Sequence, residues 1–133
     1  MAKENFGAVQ TFKAAADYSS YQYCPVYISA ADTVTITGAA GIVDGILLNK
    51  PDAAGKPAEV LTASGCFCKL KVANGVSVGD ALEADSSSRG TSLTITSPGT
   101  TVTYMIGRAN EASGADNQYI TVLTNFVPTS KGT

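Results

Sequence analysis

The chain has 133 residues, with nine Lys and Arg against eleven Asp and Glu, a formal charge of −2 and no basic run, which argues against a partner held through successive phosphates. It is 44% hydrophobic but only 15% charged, below the roughly 25% usual for globular proteins, so hydroxyls more than ions keep its surface wet. At this length one domain is expected, burying roughly two-thirds of the surface of the unfolded chain, and a second independent core is not. The apolar runs are short and Met1 to Gly7 lacks the basic-then-apolar order of a signal peptide, so neither membrane insertion nor secretion is expected, and synthesis is placed in a cytoplasm.

Residues 1–17 scatter Phe6, Val9 and Phe12 among polar and small residues, with Gly7 inside any helical turn and no convincing cap. They read as an N-terminal arm that packs on its own domain or reaches a neighbour. Tyr18, Tyr21 and Tyr23 follow within a few residues, and tyrosine suits both strand packing and contact surfaces. Tyr23 to Ile28 reads as a strand, with Pro25 marking an edge or a first residue. Thr33 to Thr37 alternates polar and apolar at the strand period, and Ile42 to Asn49 is apolar enough for a strand covered on both faces. Pro51 and Pro57 bound the loop before Ala58 to Thr62.

Gly65 to Val72 alternates again, with Lys69 and Lys71 opposite Leu70 and Val72. Asn74-Gly75 is the strongest hairpin signal in the chain, but Gly79 follows too soon for a long partner strand. A corner is therefore expected, held by Val76, Val78 and Leu82, with a new strand at Ala81 to Ala84. Ser86 to Thr91 reads as a loop tip. Ser92 to Thr96 and Thr101 to Ile106, joined through Ser97-Pro98-Gly99, read as a hairpin, and Tyr119 to Phe126 as the closing strand. Residues 128–133 are expected to form a flexible tail.

Eight or nine short strands, no long helix and no repeat of fixed period predict an all-β fold, a small single-domain β-barrel or sandwich over residues 18–127. The three cysteines, Cys24, Cys66 and Cys68, are odd in number and read as small buried hydrophobes more than as a disulfide framework. The chain has no histidine, which removes the Ser-His-Asp and Cys-His arrangements and the usual ligand set of a zinc site. Asp44, Asp52, Asp80, Glu83 and Asp85 could supply a carboxylate pair, but Glu83 and Asp85 read as solvating one face of a surface strand. No phosphate loop and no cofactor motif is present.

Three segments, Gly45-Ile46-Leu47-Leu48-Asn49 with Pro51, Val76-Ser77-Val78-Gly79-Asp80-Ala81-Leu82, and Ile106-Gly107-Arg108-Ala109-Asn110-Glu111-Ala112, stand in an order and spacing that resembles the capsid cement, or decoration, proteins of tailed bacteriophages. The resemblance runs from about Tyr23 to Leu123 and rests on joint order, since each motif alone is small apolar residues and glycine. It implies a non-enzymatic virion protein, synthesised in the host cytoplasm and placed on the outer surface of the expanded head. Its partner would be the major capsid protein, its oligomer a homotrimer, and it would use no cofactor, metal, nucleic acid, membrane or small-molecule substrate. Contact with the capsid or a neighbouring subunit is expected from Phe6, Val9, Phe12, Tyr18 and Tyr21, and an architectural turn role from Gly75, Gly79, Asp80 and Gly107. The tyrosine cluster also suits a different protein, a carbohydrate- or receptor-binding β-module of a phage tail or adhesin.

Overall fold

The computed structural model describes residues 7–95 and 101–131. Among them are ten strands and no helix. β1 (Val9–Ala14), β2 (Pro25–Ala30), β3 (Thr33–Ile36), β4 (Gly45–Leu47) and β5 (Pro57–Leu61) close one barrel in the order β1-β3-β2-β4-β5. β6 (Phe67–Val72), β7 (Ala81–Ala84), β8 (Gly90–Leu93), β9 (Thr101–Ala109) and β10 (Gln118–Lys131) close another in the order β10-β6-β8-β7-β9. Closure removes the free edges that short strands with low charge would otherwise expose.

The two barrels have the same connectivity. In each, the first strand runs parallel to the third and antiparallel to the fifth, while the second pairs with the third and fourth and the fourth with the fifth. The register is also the same. Val26 faces Gly45 as Leu82 faces Gly107, Leu47 faces Val60 as Ala109 faces Val122, and Val9 faces Leu61 as Phe67 faces Leu123. Hydrogen bonds beyond the ladders repeat as well. The Tyr23 amide donates to the Leu47 carbonyl as Gly79 does to Ala109, and the Leu48 amide donates to Glu59 as Asn110 does to Thr121. The absence of a sequence repeat is thus overturned at the level of structure: the chain is a tandem pair of one five-stranded unit.

One position shows why the repeat is hard to read. Cys24 donates to the Tyr21 carbonyl as Asp80 donates to Ser77, so Tyr23 and Gly79 are equivalent, and both have positive φ, 64° and 87°. Glycine takes that conformation freely, whereas tyrosine is strained there and is held by its contacts. Gly45 and Gly107 are an equivalent pair whose residue type is retained for a steric reason. A Cβ on Gly45 would lie 2.5 Å from the Leu61 carbonyl oxygen, and one on Gly107 would run into the carbonyl oxygen of Leu123. Both are glycine because a neighbouring strand passes too close, so Gly107 lies inside β9 and is not the turn residue expected of it.

Each barrel has its own apolar cluster. Ala14, Tyr18, Val26, Val34, Leu47, Ala58 and Val60 fill the first. Leu70, Val72, Leu82, Ile106, Ile120 and Val122 fill the second, but Val43 and Ile46 of the first half join them. Two cores therefore exist where one was expected, and they are not independent. Main-chain bonds from Lys71 to the Tyr23 carbonyl (2.9 Å) and from Ala40 to the Ala84 carbonyl (2.9 Å) fasten the barrels together.

Three further expectations are corrected. Residues 9–14, assigned to an arm, are β1, paired with β5 and β3 inside a closed barrel. Residues 128–131, assigned to a flexible tail, are the end of β10, paired with β9 from Thr101 to Tyr104. β8 and β9 do not form a hairpin: β8 lies between β6 and β7, and β9 between β7 and β10. The proposed turn residues 97–99 lie outside the described residues. The turns of the expected corner are present, with Gly75 at φ 88°, Gly79 at φ 87° and β7 beginning at Ala81. Of the three apolar residues expected to hold it, only Val76 and Leu82 are buried, while Val78 is exposed.

Candidate functional site: the surfaces available for contact

The corner from residue 74 to 82 is tied down by a set of hydrogen bonds. The Ser77 amide (2.9 Å) and the Ser92 hydroxyl (2.7 Å) donate to one carboxylate oxygen of Asp80, the Asp80 amide returns a bond to the Ser77 carbonyl, and the Gly79 amide reaches Ala109. The Ser92 hydroxyl and then the Ser77 amide hold the Asp80 carboxyl below its ordinary range. Ser113 accepts the Val76 amide and donates to the Ala73 carbonyl (2.7 Å), bringing the loop before β10 onto the same corner. These bonds tie the corner to β8, to β9 and to the loop before β10.

Of the carboxylates read as catalytic candidates, Asp44, Asp80, Glu83 and Asp85 are each engaged singly in holding structure. Glu83, expected to solvate a surface strand, is instead buried: it accepts the Thr103 hydroxyl (2.6 Å) and forms an ion pair with Lys131 (2.8 Å). Asp85 accepts the amides of Ser87 and Arg89 and pairs with the Arg89 guanidinium at 2.9 Å. Asp44 accepts the Ile28 amide (2.8 Å). Cys24 is buried, and its burial pushes the thiol up to about 11, while Cys66 and Cys68 are partly buried and also free. Among the described residues no three or more His, Cys, Asp or Glu side chains gather as metal ligands.

The expected contact residues fall in different places. Phe6 lies outside the described residues. Val9 is exposed on β1, and Phe12 is half-buried against the first core. Tyr18 is buried in that core, which removes it as a surface contact, and it meets the half-buried Tyr21 edge to face with ring centres 5.9 Å apart. Tyr23 packs on Tyr119 across the barrel junction at 5.7 Å, with the Lys69 ammonium over its ring. The three tyrosines are thus packing residues and leave no open aromatic platform of the kind a sugar ring stacks on.

Apolar side chains are exposed on both barrels, Val9 and Ile28 on the first and Phe67, Val78 and Leu123 on the second. Phe67 is 67% exposed and Val78 68%, and with Leu123, Arg108 and Asn110 they line a groove of about 250 Å³. Phe67 was legible as an outward residue, since it alternates with the inward Cys66 and Cys68 and pairs across to Leu123. Val78 and Leu123 were not, because only the closing of the barrel places them beside it. A further groove of about 290 Å³ on the first barrel is lined by Thr11, Phe12, Lys13 and Pro57 among others. No family model matches the chain, and no curated protein matches it.

Proposed function

We propose that this is a non-enzymatic decoration protein of a tailed-phage head, bound as a homotrimer to the major capsid protein on the outer surface of the expanded shell. The observation that carries the reading is the joint order of the three motifs, from Gly45 to Asn49 with Pro51, from Val76 to Leu82, and from Ile106 to Ala112. Their spatial relation supports it: Gly79 donates to Ala109 and Ala109 donates to the Asp80 carbonyl, so the last two motifs form a single corner, and the first motif occupies in barrel one the place the third occupies in barrel two. Residues that carry a resemblance through such a corner are constrained by architecture. A closed, low-charge β surface with exposed Phe67 and Val78 suits repeated contact with a protein lattice, where several modest footprints act together.

Co-sedimentation of the purified chain with expanded empty heads tests the reading. Binding that saturates at a fixed number of copies per capsid protein is the expected result, and failure of the intact chain to bind any expanded head would overturn it. Because β1 is part of a barrel, an arm deletion should remove only residues 2–7, and retained binding by that variant would exclude a docking role for Phe6.

A further inference from the structure

The two barrels of one chain are held together by a contact whose two sides recur, unfilled, on the opposite barrels. The first barrel presents Tyr23 and Ile46 to the second, with Leu61 opposite Ile46 in the ladder. Their register equivalents on the second barrel are Gly79, Arg108 and Leu123, which belong to the exposed groove with Phe67 and Val78. Leu61 is 7% exposed, but Leu123 is 39% exposed. The second barrel receives the first at Lys69, Lys71 and Tyr119, around the Tyr23 ring and carbonyl. Their equivalents on the first barrel are Thr11, Lys13 and Pro57, and all three line the other groove. Burial repeats the asymmetry: Ala84, whose carbonyl accepts the Ala40 amide, is 1% exposed, and its equivalent Ile28 is 50% exposed.

We propose that these two grooves are the two halves of one interface, and that the occupant of each is a second copy of this chain. The groove of barrel two on one molecule docks at the groove of barrel one on the next, continuing in trans the contact that joins the barrels in cis. Such a contact is heterologous, head to tail, and gives a ring when the rotation from one barrel to the next closes. It differs from the internal contact in one respect. The Lys13 amide is already bonded to the Asp32 carbonyl (2.7 Å), and the Gly79 carbonyl accepts the Arg108 guanidinium (3.2 Å), so the contact in trans is made by side chains. Those local bonds also keep each groove's main chain satisfied in the separate molecule.

The test separates head-to-tail docking from any symmetric contact and does not depend on the capsid reading. Phe67→Glu with Val78→Glu removes the side offered by barrel two, and Thr11→Lys with Ile28→Lys the side offered by barrel one. Light scattering after size exclusion should show the unaltered chain above monomer mass, with that mass rising with concentration. Each double variant should be monomeric. An equimolar mixture of the two should give dimers and nothing larger, because a single working pair of faces survives in it. Dimers in the mixture also show that both variants are folded; Val78→Glu alone replaces the first double variant if it does not fold, and Ile28→Lys alone the second. A monomeric unaltered chain, a mixture that stays monomeric, or assembly that survives loss of one face would each overturn the proposal.

Discussion

The two barrels share topology and register, keep Val60 with Val122 and Leu61 with Leu123, and differ in side chain at the equivalent positions that meet different surroundings. Gly45 and Gly107 stay glycine because a strand carbonyl leaves no room for a Cβ. Tyr23 and Gly79, Cys24 and Asp80, Ile46 and Arg108 have diverged, because each pair shares a main-chain role while facing different surroundings. In barrel one these side chains meet barrel two, so they are apolar or aromatic. In barrel two they stand at solvent, so they are small, charged or hydrogen-bonded. The comparison teaches that backbone demands persist in a tandem fold while side-chain identity follows whatever lies next to each copy.

The sharpest way to break the comparison is at the retained glycines. Gly107→Ala should destabilise by about 3 kcal/mol and Gly45→Ala by a similar or slightly smaller amount, since each Cβ meets backbone that cannot move aside. Chemical denaturation checks both, and a change in either below about 1 kcal/mol would mean that the close approach is not what retains glycine.

Next in size is a feature the second barrel has alone. β10 runs past the point equivalent to the end of β5 and carries Lys131 to the buried Glu83. Lys131→Met leaves that carboxylate with only the Thr103 hydroxyl and should cost about 2 kcal/mol, less than the roughly 3–5 kcal/mol of a fully enclosed pair. Protection of β9 and β10 amides in hydrogen exchange should fall before that of barrel one.

Smaller again is the diverged left-handed position. Gly79→Val should cost about 1–2 kcal/mol through backbone strain alone, because the nearest atom to a Cβ there is the Arg108 guanidinium at 3.5 Å. A thermal midpoint unchanged by Gly79→Val would show that this corner tolerates a side chain as readily as the Tyr23 corner does.

The smallest effect is one of pH, and equivalent positions should show it at opposite ends of the scale. Hydrogen bonds from Ser92 and Ser77 lower the Asp80 value below 3.8, so its contribution is complete above the unfolded value and is lost as pH falls through the folded one. Burial raises Cys24 from 9.0 to about 11, so its contribution is complete below the unfolded value and is lost as pH rises through the folded one. Denaturation midpoints against pH should lose slope on the acid side in Asp80→Asn and on the alkaline side in Cys24→Ala. Loss of the same limb in both would sever the pairing.

Much of the strand content was legible. Alternation placed β3 and β6, the apolar run placed β4, the bounding prolines placed β5, and the Asn74-Gly75 and Gly79 signals placed the corner and the start of β7. The misplacements have physical causes. β1 reads as an arm because Phe6, Val9 and Phe12 stand isolated, with Gly7 breaking any helical turn, whereas pairing with β5 and β3 supplies the order the local pattern lacks. The end of β10 was taken for a tail because Ser130 and Lys131 are polar, yet Lys131 is held by a carboxylate far away in sequence. Of the candidate contacts, Tyr18 was drawn from composition and proved to be core, while Phe67, Val78 and Leu123 form a patch only after closure.

What the sequence by itself determined is the local menu: short strands set by period-two alternation, turns set by glycines at positive φ, and a surface poor in charge. What only the tertiary structure decided is that these strands close twice into the same barrel, that Ile46 is covered where Arg108 is open, and that the uncovered faces match the covered ones. Alternation and turn propensity act between near neighbours in the chain, whereas closure, register and the barrel junction are set by carbonyls and side chains that meet only when distant strands pass one another.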